Sequence, residues 1–140
     1  MDASMRVQDL MSTDVATLQR NDKLSIADDV MRLGRIRHLP VVDEDGRVVG
    51  VLSQRDLFRG ALATALGYGQ RGQQKLMELL LVKEVMTSDV TTIQGDTLIA
   101  DAARMKVDRK LGCLPVVDAA GEPIGIITES DFVRIVLADS

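Results

Sequence analysis

The sequence predicts an α+β fold of two tandem units, each with the element order β-α-β-β-α. Three observations predict it: a sequence repeat, apolar residues whose spacing alternates between that of strands and that of helices, and an ordinary globular composition. The 140 residues are 46% hydrophobic and 27% charged, with a formal net charge of -4. Because a unit of about 55 residues buries too little surface to be stable alone, we expect the two units to pack through their sheets as a pseudo-twofold pair.

The repeat relates the two halves of the chain at an offset of 75 residues. Residues 7–19 recur as 82–94, and a Leu-Pro-Val-Val-Asp segment recurs later at the same offset. Between these blocks the identities align at an offset of 74, as in the pair Met31 and Met105. This predicts a one-residue shift on either side of one helix, which loops would absorb.

The elements of the first copy follow in order along the chain. A short β-rich run comes first, and then apolar residues at helical spacing end at Gly34. The turn residues Glu44, Asp45 and Gly46 separate two β-rich runs and predict a hairpin, while Ser53 is a typical helix cap. We therefore expect a strand at 15–18, a helix at 25–34, strands at 38–42 and 47–52, and a helix from Ser53 toward Leu66.

The second copy repeats this order after a glycine-rich segment. We expect a strand at 90–93, a helix at 98–107, strands at 113–117 and 123–127, and a helix at 129–138. Three glycines in residues 67–72 predict a flexible joint, followed by a short helical run at 74–81. The predicted domains are repeat 1 at 1–66, a linker with a short helix at 67–81, and repeat 2 at 82–140.

Composition excludes several classes of protein. With Cys113 the single cysteine and His38 the single histidine, neither an intrachain disulfide nor the usual zinc sites can form. This cysteine usage is typical of a reducing compartment, and we expect a cytoplasmic protein. The apolar runs are far shorter than a membrane span, and the first residues carry no signal-peptide pattern. Aromatic residues make up only 2%, which disfavours nucleic-acid binding by base stacking.

Three short motifs occur once in each copy and together resemble the CBS domain. They are Met-Ser or Met-Thr near the start, Leu-Pro-Val-Val-Asp in the middle, and Gly-h-h-Ser/Thr-x-x-Asp before the last helix, where h is apolar and x is any residue. Two copies in tandem resemble the CBS pair, or Bateman module, over about residues 7–62 and 82–137.

The resemblance implies a regulatory, non-catalytic module that binds AMP, ADP, ATP or another adenosyl compound in clefts between the two repeats. It also implies a homodimer and a regulated partner protein. No cofactor is required, although Mg²⁺ would accompany a polyphosphate ligand.

The third motif suggests how a nucleotide could be held. In the second copy Thr128 stands where a strand gives way to a helix, so backbone N–H groups and the helix dipole favour an anion in front of it. Hydroxyls of Thr128 and Ser130 can donate to phosphate, and the Asp131 carboxylate can accept from ribose hydroxyls. The same spacing is that of a capping box, in which Asp131 simply bonds back to the cap. The resemblance implies the ligand role, and both roles can coexist.

The first copy departs from this pattern in its charges. Ser53 and Asp56 match Thr128 and Asp131, but Arg55 replaces Ser130 and would either clamp a phosphate or be a solvated surface charge. Arg35, Arg37 and His38 form the densest basic segment, which is either a phosphate site or a solvated loop. By resemblance Arg37 and His38 face the phosphate, whereas the second copy has the uncharged Gly112 and Cys113 there. The two sites are therefore expected to be unequal toward phosphate.

Adenine would lie between aliphatic walls, because the chain has few aromatic side chains. The alternative for the apolar members of these walls is ordinary core, and Cys113 is either a small buried hydrophobe or a redox group. The resemblance completes the predicted nucleotide-binding set with Ser12, Val15 and Ala16, with Thr87, Val90 and Thr91, and with Val51, Pro115, Ile126 and Cys113.

Two other functions are considered beside the regulatory one. The clefts could have lost their ligand and left a protein–protein interaction or dimerisation scaffold, which Arg55, Gly112 and Cys113 favour as departures from the motif. An enzyme is not expected, because the sequence has no Ser-His-Asp set, nucleophile elbow, Walker motif or HExxH motif. We accordingly predict no catalytic residues and no metal site.

Overall fold

The structure is a computed structural model that describes residues 4–65 and 77–138. The order β-α-β-β-α occurs twice, which confirms the predicted α+β fold with two repeats. The first set is β1 (Leu18–Gln19), α1 (Leu24–Gly34), β2 (His38–Val42), β3 (Val48–Ser53) and α2 (Gln54–Ala65). The second is β4 (Ile93–Gln94), α3 (Ile99–Arg109), β5 (Cys113–Val117), β6 (Pro123–Thr128) and α4 (Glu129–Ala138). A short 3-10 helix precedes each set, at Val7–Asp9 and Val82–Glu84.

Each set forms a three-stranded sheet with the same topology. β1 pairs in parallel with β2, and β2 pairs antiparallel with β3; β4, β5 and β6 repeat this arrangement. The predicted hairpin turn is confirmed: the Asp43 carboxylate accepts hydrogen bonds from the backbone N–H groups of Asp45 (2.9 Å) and Arg47 (3.1 Å). Gly46 has a φ of 81°, a left-handed conformation that favours glycine.

The offset between the copies is 75 residues throughout, so the predicted drop to 74 is wrong. α1 and α3 begin at Leu24 and Ile99 and end at Gly34 and Arg109, and every strand obeys the same offset. A one-residue slip would turn the apolar face of a helix by about 100° and away from its core, so the two helices keep the same offset as the strands. The identities at an offset of 74 are therefore chance matches. Met31 therefore corresponds to Lys106 rather than to Met105.

The first strand of each copy is shorter than predicted and lies further along the chain. The predicted strands at 15–18 and 90–93 are Leu18–Gln19 and Ile93–Gln94. β propensity identified the segment, but the register with the neighbouring strand decides its length, and in β1 only Leu18 and Gln19 pair with β2. Of the predicted helical run at 74–81, residues 77–79 are helical, while its start and the glycine-rich joint lie outside the described residues.

The limits of α1 and α3 are close to the predictions. α1 ends at Gly34, as predicted, and its cap is Arg35, which takes the left-handed conformation with a φ of 53°. α3 extends past the predicted residue 107, and Lys110 caps it in the same way with a φ of 54°. The backbone N–H of each cap donates to the carbonyl four residues earlier, so the two helices end in the same geometry.

The chain forms two compact units that do not coincide with the two copies. Unit 1 comprises Met1–Val15 and Thr91–Ser140, and unit 2 comprises Ala16–Val90. Each has its own apolar core, with Leu18, Leu39 and Leu52 fully buried in unit 2. Val7 is fully buried in the core of unit 1, and Val82 in that of unit 2. The segment that opens each copy therefore completes the core built around the other copy.

Across the described ranges, no helix combines the length and the apolar character that spanning a membrane requires.

Candidate functional site

In unit 2, a backbone bridge between β3 and the segment that opens the second copy places two polar side chains beside the start of α2. Backbone hydrogen bonds join Val51 on β3 to Thr87, with N···O distances of 3.0 and 2.9 Å. This bridge brings the Thr87 hydroxyl to 3.5 Å from the Asp56 carboxylate. Thr87 opens the second copy whereas Asp56 belongs to the first, so both repeats contribute to this site within one unit. We call the group around Ser53, Asp56 and Thr87 the α2 site.

The α4 site, around Ser12, Thr128 and Asp131 in unit 1, is built in the same way. Ser12 and Ile126 exchange backbone hydrogen bonds of 3.1 and 3.0 Å. The Ser12 hydroxyl lies 3.5 Å from the Asp131 carboxylate. Thr128 and Ser130 share a hydroxyl–hydroxyl hydrogen bond of 2.9 Å. The structure therefore brings these predicted residues together at the N-terminus of α4.

The capping interpretation of the motif is confirmed. In the α2 site the Ser53 hydroxyl accepts from the Asp56 N–H at 3.0 Å, and the Asp56 carboxylate accepts from the Ser53 N–H at 3.1 Å. In the α4 site the Asp131 carboxylate accepts from the Thr128 N–H at 2.8 Å. Asp131 is only 1% exposed, and the Arg134 guanidinium also donates to it. The carboxylates thus have a structural role whether or not a ligand binds.

Two glycines allow the opening segments to approach the sheets so closely. A Cβ atom on Gly50 would lie 2.6 Å from the Met86 sulfur and 2.9 Å from the Thr87 carbonyl oxygen. A Cβ atom on Gly125 would collide with the Met11 sulfur and lie 3.1 Å from the Ser12 carbonyl oxygen. Both glycines are therefore required for the backbone bridges that position the Ser12 and Thr87 hydroxyls.

Three of the predicted basic residues, Arg37, His38 and Arg55, belong to the segments that meet at the start of α2. His38 is the partner of Ser53 in the β2–β3 register, and the Arg37 carbonyl accepts from the Gln54 N–H at 2.8 Å. Arg55 is the second residue of α2 and is exposed. Arg35 caps α1 two residues before Arg37.

Three of the corresponding positions in the second copy are uncharged, whereas Lys110 stands in place of Arg35 and caps α3 in the same way. Gly112 and Cys113 stand in place of Arg37 and His38, and Ser130 in place of Arg55. The first residue of α4 is Glu129, where α2 has the neutral Gln54. This last difference was missed by the sequence analysis, although an alignment at a constant offset of 75 displays it.

Lys106 is a second residue that the sequence analysis missed, because the wrong offset paired it with residue 32. Its amine donates to the carbonyls of Leu111 (2.8 Å) and Gly112 (3.0 Å), and the residue is 7% exposed. In unit 2 the corresponding carbonyl, that of Arg37, accepts its hydrogen bond from the Gln54 N–H instead. Burial lowers the pKa of Lys106.

Cys113 is buried in β5 and faces Thr128 in the register with β6. Burial raises the pKa of its thiol to about 12. A neutral, buried thiol behaves as a small hydrophobe, so the structure favours that interpretation over a redox role.

The remaining predicted residues divide between the units. Val51 and Ile126 are half-buried at the two backbone bridges, and Pro115 is buried opposite Ile126. Val15 shares unit 1 with Ser12, whereas Ala16 belongs to unit 2 and packs on its core. Val90 shares unit 2 with Thr87, whereas Thr91 belongs to unit 1, where it accepts a hydrogen bond from Arg109 at 3.4 Å. Ala16 and Thr91 are thus not in the same unit as the site to which they were assigned.

Among the residues that the structure describes, no cluster of three or more His, Cys, Asp or Glu side chains could hold a metal ion.

Comparison with known proteins identifies both repeats. A family model described as "CBS domain" matches residues 7–63 and 82–138. A crystal structure of the CBS domain pair of protein MJ0100, in complex with 5′-methylthioadenosine and S-adenosyl-L-methionine, is similar with a TM-score of 0.78 and 27% identity, over 97% of this chain and 98% of that one. A crystal structure of CBSX2 from Arabidopsis thaliana in complex with AMP has a TM-score of 0.76 and 29% identity, over 96% of this chain and 97% of that one.

A similar segment also occurs within a larger enzyme. Homoserine O-acetyltransferase of Methanococcoides burtonii is 32% identical over 130 residues, which are 93% of this chain but 24% of that enzyme. Most of the enzyme therefore lies outside the match.

Proposed function

Because the chain belongs to the CBS domain family, with one match on each repeat, we propose that it is a regulatory module that binds an adenine nucleotide or another adenosyl compound. The observation that carries the proposal is the same arrangement in both units: a hydroxyl from a copy-opening segment held 3.5 Å from the carboxylate in the first turn of a helix. Similar domain pairs in complex with AMP and with 5′-methylthioadenosine support this choice of ligand class.

The chemistry of each site fits an adenosine with its ribose toward the helix. A carboxylate accepts up to about four hydrogen bonds, and three donors contact Asp131, so one position is left for a ribose hydroxyl. Because the Arg134 side chain is 61% exposed, it can move away and leave its position on the Asp131 carboxylate to a second ribose hydroxyl. The N-terminus of the helix favours a phosphate, and Val51 and Ile126 offer aliphatic surfaces to the base.

In this proposal, the ligand acts by changing how the module engages a partner protein, without a catalytic step of its own. A ligand can shift such an equilibrium only by its differential affinity for the two states of the module. Exposed apolar residues on α4 support a homodimer or partner surface: Val136 is 70% exposed and Leu137 66%. The single cysteine is consistent with the reducing cytoplasm as the compartment.

The proposal is tested by calorimetric titration of the whole protein with AMP, ATP with and without Mg²⁺, 5′-methylthioadenosine and S-adenosyl-L-methionine. We expect saturable heat with at least one of them, and light scattering of the same sample gives the oligomeric state. No heat at millimolar ligand would contradict nucleotide sensing and leave the interaction scaffold, and a monomeric mass would contradict the homodimer.

The role of Asp131 is tested in the same titration with Asp131→Asn. Asparagine keeps an oxygen that can accept from the Thr128 N–H, so the cap is retained, but it loses the charge and an acceptor for ribose. We expect affinity at the α4 site to fall about tenfold, as for one hydrogen bond to a charged group. Asp131→Ala is less informative because it removes the cap as well. Unchanged affinity in Asp131→Asn would exclude a ribose contact at Asp131.

A further inference from the structure

The two sites have the same backbone but opposite charge around the start of the helix. At the α2 site, Arg37 and Arg55 flank the first turn of α2, whose first residue is the neutral Gln54. At the α4 site, the same positions hold Gly112 and Ser130, and the first residue of the helix is Glu129. The α2 site therefore has two guanidinium groups where the α4 site has one carboxylate.

The cations of the α2 site are available to a ligand. Within the described ranges, neither Arg37 nor Arg55 forms an ion pair, and both side chains are exposed. The Arg37 carbonyl accepts a 2.8 Å hydrogen bond from the N–H of Gln54, the first residue of α2. The side chain of Arg37 therefore starts beside the first turn of this helix. The half-buried His38 adds a further polar group opposite Ser53.

Lys106 and Arg134, two cations of unit 1, are already engaged. The Lys106 amine donates to the carbonyls of Leu111 and Gly112 and is almost fully buried, and Arg134 is paired with Asp131. Cys113 holds a neutral thiol at the position of His38. A phosphate at the α4 site would meet the Glu129 carboxylate with no uncommitted cation among these groups.

We propose that the α2 site takes a phosphorylated adenine ligand, and that the α4 site takes an adenosyl ligand without a phosphate. This inference rests on the proposed function and assigns a ligand class to each of its two sites. A phosphate monoester carries close to two negative charges at neutral pH, so two guanidinium groups favour it and a carboxylate disfavours it. The hydroxyl and carboxylate common to both sites recognise the ribose in either ligand.

The test uses AMP as the phosphorylated probe and 5′-methylthioadenosine as the probe without phosphate, each titrated into the full-length protein. Arg55→Ser gives the α2 site the residue of the α4 site. We expect it to weaken AMP binding about tenfold while 5′-methylthioadenosine binding changes less than about twofold. Arg47→Ser is the matched control, because it removes the same charge from the exposed hairpin turn at the opposite end of β3.

The reciprocal change is made at the α4 site with Ser130→Arg and Glu129→Gln together. We expect this double variant to bind a second AMP, whereas the wild-type protein saturated with 5′-methylthioadenosine still binds AMP with unchanged affinity. Raising the salt concentration should weaken AMP binding and leave 5′-methylthioadenosine unaffected.

Displacement of one probe by the other at a single shared site would overturn the inference, as would an equal loss for both probes in Arg55→Ser. If neither probe binds the wild-type protein, the proposed function itself fails. The two failures are therefore distinguishable from the same set of titrations.

Discussion

Asp131 has the structural role that its spacing from Thr128 indicates. The spacing of Thr128 and Asp131 indicated a capping box and the resemblance implied a ribose contact; the structure confirms the cap through the 2.8 Å hydrogen bond. The sequence could not show that the carboxylate is buried at 1% exposure, or that Ser12 reaches it from the other end of the chain. Such contacts depend on tertiary packing, which spacing along one helix does not contain.

Lys106 marks the limit of residue-level prediction. In the first copy its counterpart Met31 is an ordinary core residue at 4% exposure. A buried amine needs acceptors, and the carbonyls of Leu111 and Gly112 supply them. No local pattern identifies a lysine that bonds to a following loop, and only the correct alignment of the copies reveals the substitution.

Cys113 leads to a prediction about alkaline stability. The thiol ionises near its model value of 9.0 in the unfolded chain but only at about 12 in the folded one. Above pH 9 the unfolded state therefore binds fewer protons than the folded state, and stability falls as the pH rises. Relative to Cys113→Ala, we expect the wild-type protein to lose about 1 kcal/mol of unfolding free energy between pH 8 and pH 10.

Urea denaturation of both proteins at each pH measures this difference, and the contributions of groups that do not interact with Cys113 cancel. Lys106 acts in the opposite direction, because its lowered pKa makes stability rise with pH between that pKa and 10.5. Lys106→Met introduces the residue that the first copy has at this position, and its pH profile gives the contribution of Lys106 separately. Parallel pH profiles for wild type and Cys113→Ala would show that the thiol is accessible to water.

At the scale of the elements, the prediction was most accurate where a segment had strong boundaries. The strands β2 and β5 and the helix α4 have the predicted limits, because turn or cap residues flank them. β1 and β4 differ, since their lengths depend on pairing with a distant strand. The backbone bridges at Val51 and Ile126 were not predicted, because isolated pairs leave no periodic pattern in the sequence.

The glycine in β6 provides a test at this scale. Gly125→Ala places a methyl group against Met11 and the Ser12 carbonyl, so either β6 or the opening segment must move. We expect a loss of about 1–3 kcal/mol in unfolding free energy, typical of overpacking, measured by urea denaturation. We also expect roughly tenfold weaker binding of 5′-methylthioadenosine, because the Ser12 hydroxyl shifts from Asp131.

Gly34→Ala is the control for this variant, since its new methyl group would meet only the flexible side chain of Ile36. A Gly125→Ala protein with wild-type stability and affinity would mean that the close approach has no consequence for the site.

At the scale of the whole molecule, the two sequence copies and the two folded units comprise different sets of residues. The repeat predicted two similar halves, but it could not show which half the segments before Val15 and Val90 would join. Burial decides this: Val82 is fully buried in unit 2 although it opens the second copy. A local residue pattern does not contain this choice, because the two copies carry similar core residues.

This organisation predicts which fragments fold. A fragment of residues 16–90 contains all of unit 2, whereas residues 1–66 lack Leu80, Val82 and Met86, which pack in its core. When thermal unfolding is measured by circular dichroism, we expect a cooperative transition for the fragment 16–90 and none for the fragment 1–66. The reverse result would show that the copy, rather than the unit, is the folding domain.

Each site lies close, along the chain, to the point where the backbone passes from one unit to the other. Ser12 and Thr87 each stand three residues before the chain passes into the other unit, at Val15 and Val90. A ligand bound at either hydroxyl would therefore hold the chain only a few peptide bonds before it enters the other unit.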